Sequence, residues 1–266
     1  MSGRSGKRHQ GGFDKNRLIL ALLVIAAVVG LTAFGLYRNG SLTLDNLLIE
    51  LGLKEPTPVT IDIGSIPEYS GEPYVALENN QPDFDAKDLT TEPFETYSDL
   101  DYLGRCGVAY ANICEEIMPT EPRGEISRVK PTGWHTTKYD CVEGKYLYNR
   151  CHLIGFQLAG ENANKQNLIT GTRYLNVDGM LPFENMVADY VKETGNHVLY
   201  RVTPVFVEDE LVARGVQMEA FSVEDEGEGV CFNVFVYNVQ PGVVIDYATG
   251  ESWLEDEDQM VLEAAA

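Results

Sequence analysis

Three stretches in the second half of the chain alternate apolar and polar residues about every two positions: 197–206 (HVLYRVTPVF), 211–221 (LVARGVQMEAF) and 230–239 (VCFNVFVYNV). Val, Phe and Tyr dominate them, and these residues suit a pleated, half-buried surface. Polar connectors at 208–210 and 224–229 separate the stretches. The pattern predicts an antiparallel meander. Just before it, residues 180–193 (MLPFENMVADYVKE) space their apolar side chains at three and four, which predicts a helix starting near Pro182. A meander packed against at least one helix is an α+β domain.

The remaining length is organised differently. With 266 residues, 44% of them hydrophobic, the chain has enough for one sizeable core and terminal segments besides. Residues 18–36 (LILALLVIAAVVGLTAFGL) carry no charge and follow Lys15 and Arg17. At about 1.5 Å per residue this run crosses most of a hydrocarbon core of roughly 30 Å. It exceeds the roughly 7–15 residues of a signal peptide's apolar region and lacks a small-x-small cleavage site, which favours an uncleaved anchor over a secretory signal. Under the positive-inside rule the basic leader stays cytoplasmic and everything beyond Arg38 lies outside; cleavage of the anchor would give a secreted protein instead.

These signals divide the chain into a basic leader (1–17), a transmembrane anchor (18–37), a Pro-rich and acidic stalk (38–95), a folded domain (96–252) and an acidic, frayed tail (253–266). Within the stalk only short runs such as 75–77 look strand-like. Residues 100–118 (LDYLGRCGVAYANICEEIM) are expected to form a turn into a short helix. The five cysteines make an odd set with no CxxC pair, so at least one thiol stays free or pairs with another chain. Cys106 and Cys114 are the first bridge to expect.

Charge narrows the partners. The formal net charge is -21, yet the first forty residues hold six basic residues against Asp14 alone, leaving -26 on the rest. A body so acidic should repel a polyphosphate, whose affinity rests on Lys and Arg displacing counterions. Residues 123–204 depart from that trend, with ten basic and eight acidic residues. The middle of the chain is mildly basic inside an acidic wrapper.

The chemistry concentrates in this middle. YLYNRCHLIGFQLAG (146–160) and ENANKQNLITGTRYLN (161–176) are followed by the helix containing Glu184. His152 begins an apolar stretch, so a rigid element at the edge of the core should hold it. A neutral imidazole there takes a proton from water near neutral pH, which Lys and Arg cannot. Asn167 and Asn176 lie nine apart, and Glu184 follows eight after the second. Their oxygens are hard donors of the kind Mg²⁺ accepts, and Mg²⁺ keeps several waters, so one Asn suffices as protein ligand. Arg150 and Arg173 offer planar, permanently charged donors to phosphate. Arg128 and Lys130 are candidates to track a nucleic-acid backbone, with plain surface solvation as the alternative.

Asn149-Arg150-Cys151-His152 resembles the Asp-Arg-Gly-His motif of the DNA/RNA non-specific endonucleases, which belong to the ββα-metal, or His-Me finger, nucleases. The resemblance continues through Asn167, Asn176 and Glu184 and covers roughly residues 95–250. It implies a ββα-metal core with a central antiparallel sheet flanked by helices. It also implies a sequence-non-specific endonuclease acting on DNA, and on RNA as a second substrate. By the same resemblance His152 is the general base, Asn176 the direct ligand of one Mg²⁺ (with Mn²⁺ as substitute), and Glu184 an orienter of the ion's water ligands. Arg150 is a phosphate contact and Asn167 supports the metal-binding segment. Anchored members are similar to the nucleases of bacterial DNA-uptake machinery.

Two positions depart from the motif. Asn149 cannot carry the charge of Asp, and Cys151 cannot adopt positive φ as cheaply as Gly. The alternative they keep open is a weak or inactive nuclease-fold surface protein that binds nucleic acid or a protein partner through the same cleft.

Overall fold

The computed structural model describes residues 61 and 63–255. The apolar run at 18–36, the first part of the expected stalk and the tail beyond 255 lie outside the described residues. Among the described residues no helix is long and apolar enough to cross a membrane. In chain order the strands are β1 (Tyr74–Ala76), β2 (Phe94–Tyr97), β3 (Ala109–Ile113), β4 (Tyr148–His152), β5 (Leu168–Thr172), β6 (Val198–Val205), β7 (Gly215–Ser222), β8 (Cys231–Tyr237), β9 (Val243–Ile245) and β10 (Ser252–Leu254). Two α-helices, α1 (Phe156–Ala159) and α2 (Leu181–Thr194), complete the frame.

The predicted meander is β6-β7-β8, antiparallel and in continuous register through Val202, Met218 and Val234. It forms the middle of a six-stranded sheet in the order β1-β8-β7-β6-β3-β2. Because side chains alternate across a strand, Tyr200, Met218 and Val234 share one face with Ala111 and Ile113 of β3. Onto that face α2 lays Phe183, Val187, Ala188 and Val191. Full burial of a Val or Phe side chain contributes about 1.5–3 kcal/mol, so this stripe fixes the helix on the sheet. Gly195, at φ 73, ends α2 by donating its N–H to Val191 O, a left-handed cap that suits a residue without Cβ.

Two expectations are corrected here. Residues 100–118 do not turn into a helix: Ala109–Ile113 is strand β3, with Ala111 opposite Tyr200 of β6 and Glu95 of β2. The small Ala side chains fit beneath the α2 side of the sheet, and β6, one of the two strands that pair with them, lies about ninety residues away. Nor is 38–95 wholly a stalk, since β1 and β2 are the two edge strands and the described residues from 61 onward cover the sheet's second face. That face carries Arg201, Gln217, Glu219 and Asn233, which alternation alone places in solvent. In the fold, Asp83 N donates to Glu219 Oε1 at 3.0 Å, Asn233 Nδ2 donates to Gln81 O at 2.9 Å, and Arg201 donates to both Glu219 and Asp83 O. Ile66 packs with Phe235 and Tyr237 beside them. A polar sheet face is thus sealed by a strap that brings backbone hydrogen-bonding groups, which a buried charged pair needs.

The expected Cys106–Cys114 bridge is absent. Both thiols are free and buried, Cys106 with Sγ 3.2 Å from Lys165 O and Cys114 with Sγ 3.6 Å from Glu116 Oε2. At the far end, β10 pairs with β9, so residues 253 and 254 belong to the fold rather than to the tail.

Candidate active site

The antiparallel pair β4-β5 forms a separate ribbon beside the main sheet, with His152 opposite Leu168 and Asn149 opposite Gly171. Its placement depends on Asn167. This side chain is fully buried, accepts from Ile154 N at 2.8 Å and donates to Ile154 O at 3.0 Å. It therefore copies a strand pairing with the backbone two residues past His152. Asn167→Leu would leave both groups of Ile154 unpaired in the core, at about 1–3 kcal/mol each. Urea unfolding should show a lower midpoint for the variant; an unchanged midpoint would contradict this role.

His152 is buried at the end of β4. Its Nε2 lies 2.8 Å from the Asn162 carbonyl oxygen, and its Nδ1 lies 3.4 Å from Arg123 Nη2. A carbonyl only accepts, so Nε2 carries the hydrogen and Nδ1 keeps its lone pair. Burial pushes the imidazole pKa down from its ordinary value, and the Arg123 guanidinium adds to this against the opposing pull of the Asn162 carbonyl. The ring is held neutral, with its basic nitrogen beside a cation.

Asn176 and Glu184 reach the same cleft from the other side. Residues Leu175–Met180 wind as a π-helical turn, and Leu181 N donates to Asn176 O before α2 begins. Such wide turns displace side chains from the regular helical path and recur at functional sites. Asn176 Oδ1 accepts from the Cys151 thiol at 3.0 Å. Glu184, in the first turn of α2, has its pKa pushed up to about 7 by burial, with Arg123 and a Gln157 hydrogen bond opposing the rise. Gly155 makes room for it: a Cβ there would sit 2.6 Å from Glu184 Oε2.

His152, Arg150, Arg173, Asn176 and Glu184 thus line one cleft of about 510 Å³, and Asn167 lies beneath it. Arg128 and Lys130 do not join them. They line a neighbouring hollow of about 350 Å³ with Cys106 and Lys165. Arg150 is in the cleft and partly engaged: Nε donates to Val129 O, Nη2 donates to Ser127 O at 2.8 Å, and the guanidinium sits 4.1 Å over the Trp134 ring. It clamps the 127–129 segment beside the cleft, and its remaining N–H donors stay available in the cleft it lines.

Two of the cleft's donors have no partner among the described residues, Arg173 Nε and Asn149 Nδ2, both buried. Unsatisfied buried donors are costly, and oxygens of an anionic ligand would satisfy them. Cys151 lies in an ordinary extended strand, so the loss of glycine there costs no strained φ. Gly171 across the ribbon accommodates its bulk, since a Cβ at Gly171 would lie 2.7 Å from Cys151 Cβ. Asn149 makes no hydrogen bond to the His152 ring, whose two nitrogens face Asn162 and Arg123.

Arg123, Asn162 and Gly155 were not singled out from the sequence. Arg123 sits in an irregular loop brought close by Gly124, where a Cβ would lie 2.6 Å from Asn162 Nδ2. Asn162 acts through its backbone carbonyl, which no side-chain motif reveals.

Residues 86–224 match the family model described as DNA/RNA non-specific endonuclease. Among solved structures, NucA from Streptococcus agalactiae with a magnesium ion bound is 28% identical with a TM-score of 0.63, over 73% of this chain and 93% of that one. The same nuclease without metal gives 29% and 0.62, over 73% and 92%. Sda1 nuclease with a bound zinc ion gives 26% and 0.58, over 69% of this chain and 97% of that one.

Proposed function

Because the chain belongs to the DNA/RNA non-specific endonuclease family, we propose that it hydrolyses phosphodiester bonds of DNA and RNA at the outer cell surface, with His152 as general base and one divalent cation on Asn176. The observation that carries this reading is the tautomer of His152. Its Nε2–H is fixed on Asn162 O, and its basic Nδ1 faces a cleft that also holds Arg123, Asn176 and Glu184.

Water placed at Nδ1 gives up a proton to the imidazole while its oxygen attacks phosphorus in line, and the bond to the 3′ oxygen breaks to leave a 5′-phosphate. Arg123 and the unpartnered Nε of Arg173 hold the phosphate and take up its developing charge. Contacts of this kind go to the backbone, so little sequence preference is expected.

The donors fit a hard cation. Asn176 Oδ1 has a second lone pair beyond the one used by Cys151, Glu184 adds a carboxylate, and Gly155 leaves space beside it. Asn176 would be the direct ligand and Glu184 an outer partner, and Mg²⁺, with Mn²⁺ as substitute, would neutralise charge on the phosphate and the leaving oxygen. NucA is found with a bound magnesium ion and Sda1 with a bound zinc ion, so similar proteins bind divalent ions.

Residues 18–36 would anchor the chain with the nuclease domain outside, where DNA-uptake machinery is the partner to look for. The acidic body makes binding weak and salt-sensitive, which suits turnover. Full-length protein should nick plasmid DNA in Mg²⁺ at low salt and stop when EDTA is added. Cleavage that persists in excess EDTA would remove the cation from the reading, and inert protein in Mg²⁺ or Mn²⁺ would remove the enzyme.

A further inference from the structure

We propose that Cys114, Glu116 and His197 form a second metal site, distinct from the nuclease cleft, that takes Zn²⁺ or a similar thiophilic divalent ion. The sheet register builds it. Ile113 of β3 pairs with Val198 of β6, so the next positions outward, Cys114 and His197, face each other across the strand ends. Glu116 follows in the turn that Ile117 N closes onto Cys114 O. One ligand atom from each of the three lies within 4.8 Å of the others.

The second observation concerns how His197 is held. Its Nδ1 lies 2.6 Å from Glu224 Oε1, and its backbone N–H donates to Glu224 Oε2 at 2.8 Å. A carboxylate on one ring nitrogen orients the ring and, in the neutral imidazole, leaves the other nitrogen with a lone pair for an ion, the arrangement that commonly orients zinc-bound histidines. A surface histidine paired with one carboxylate needs no further partner; here a buried thiol and a second carboxylate converge on it as well.

The donor set chooses the ion. Nitrogen, sulfur and one carboxylate oxygen match zinc, which prefers four tetrahedral ligands and takes water as the fourth, whereas Mg²⁺ prefers six oxygens. Bonds of about 2.3 Å to sulfur and 2.0 Å to nitrogen place tetrahedral ligands roughly 3.5 Å apart. Glu116 is exposed and can swing in by the difference. The Cys114 thiol loses its proton to solvent as it binds, and the thiolate and Glu116 then balance the two charges of the ion.

The site lies at the C-terminal end of α2, the end opposite Glu184, and the helix is roughly 20 Å long. An ion there would tie the end of β3 to the α2-β6 junction and, through Glu224, to the end of β7. It would brace the helix that carries Glu184 without touching the cleft.

The test uses full-length protein in mild detergent, stripped with EDTA, dialysed and titrated with Co²⁺ and then Zn²⁺. One equivalent of Co²⁺ should give a thiolate-to-cobalt charge-transfer band and tetrahedral d–d bands, which Zn²⁺ displaces and equimolar Mg²⁺ does not. Zn²⁺ at about 100 times its Kd should raise Tm by about 5–10 °C. Cys114→Ser should lose both responses while Cys151→Ser keeps them. Glu116→Ala, on an exposed turn, and Glu224→Gln should each weaken Zn²⁺ binding about tenfold or more. Absence of the band in the parent protein, its survival in Cys114→Ser, its loss in Cys151→Ser, or unchanged affinity in Glu116→Ala would each overturn the site. None of these results depends on nuclease activity.

Discussion

His152→Ala should reduce kcat on plasmid DNA by about 10²–10⁴-fold, the usual contribution of a positioned general base. KM should change little, because the imidazole faces a water and the phosphate is held by Arg123 and Arg173. The side chain is buried, so the variant must be shown to be folded by an unchanged Tm or near-UV circular dichroism. A folded variant with full activity would move the base elsewhere in the cleft. The pH profile adds a second readout with a defined sign. The base works when neutral, so activity is present above its pKa and lost as pH falls through it. Burial, aided by Arg123, holds that pKa below its ordinary value, so the part of the acid limb of kcat/KM that is due to His152 should lie below 6.5, separate from the ionisation of Glu184, whose carboxyl is pushed up to about 7. Arg123→Gln removes one of the two lowering influences and should move the limb upward while also weakening phosphate binding. An acid limb well above 6.5 in the parent protein would mean that a different group is titrating.

Local periodicity made β6, β7, β8 and α2 legible, because each buries one face and its spacing reports that face directly. β3 was not legible, since Ala109 and Ala111 are neutral residues made into a strand by a partner distant in sequence. The strap over the second sheet face was hidden for a related reason. Arg201, Gln217, Glu219 and Asn233 read as solvent-facing until Gln81 and Asp83 cover them with backbone groups. The candidate residues at motif spacing, His152, Asn167, Asn176 and Glu184, were readable from their side-chain types, and the structure brings them together at the cleft. Arg123 and the Asn162 carbonyl were not, because loop position and backbone contacts leave no compositional trace. Arg150 carries a structural task that its type did not reveal: it holds Val129 O, Ser127 O and the Trp134 ring while still lining the cleft.

Asn176→Ala should cost about 10²–10⁴-fold in Mg²⁺-supported cleavage, since a cation is worth several kcal/mol of charge stabilisation and each 1.36 kcal/mol is a factor of ten. The loss should appear together with weaker Mg²⁺ binding, measured calorimetrically in the absence of DNA. Asn176→Asp keeps an oxygen at the same place and should retain most of the binding. The neighbouring thiol sharpens the argument. Burial pushes the Cys151 pKa up, so its proton stays on sulfur and is donated to Asn176 Oδ1. That contact fixes the amide with oxygen towards Cys151, and the oxygen's remaining lone pair would serve the proposed ion. Cys151→Ala removes the donor and should lower Mg²⁺ affinity about tenfold, a typical effect of losing a ligand's supporting hydrogen bond. Parent-like Mg²⁺ dependence in Asn176→Ala would transfer the ligand role to Glu184, since Asn167 Oδ1 is engaged by Ile154 N beneath the cleft.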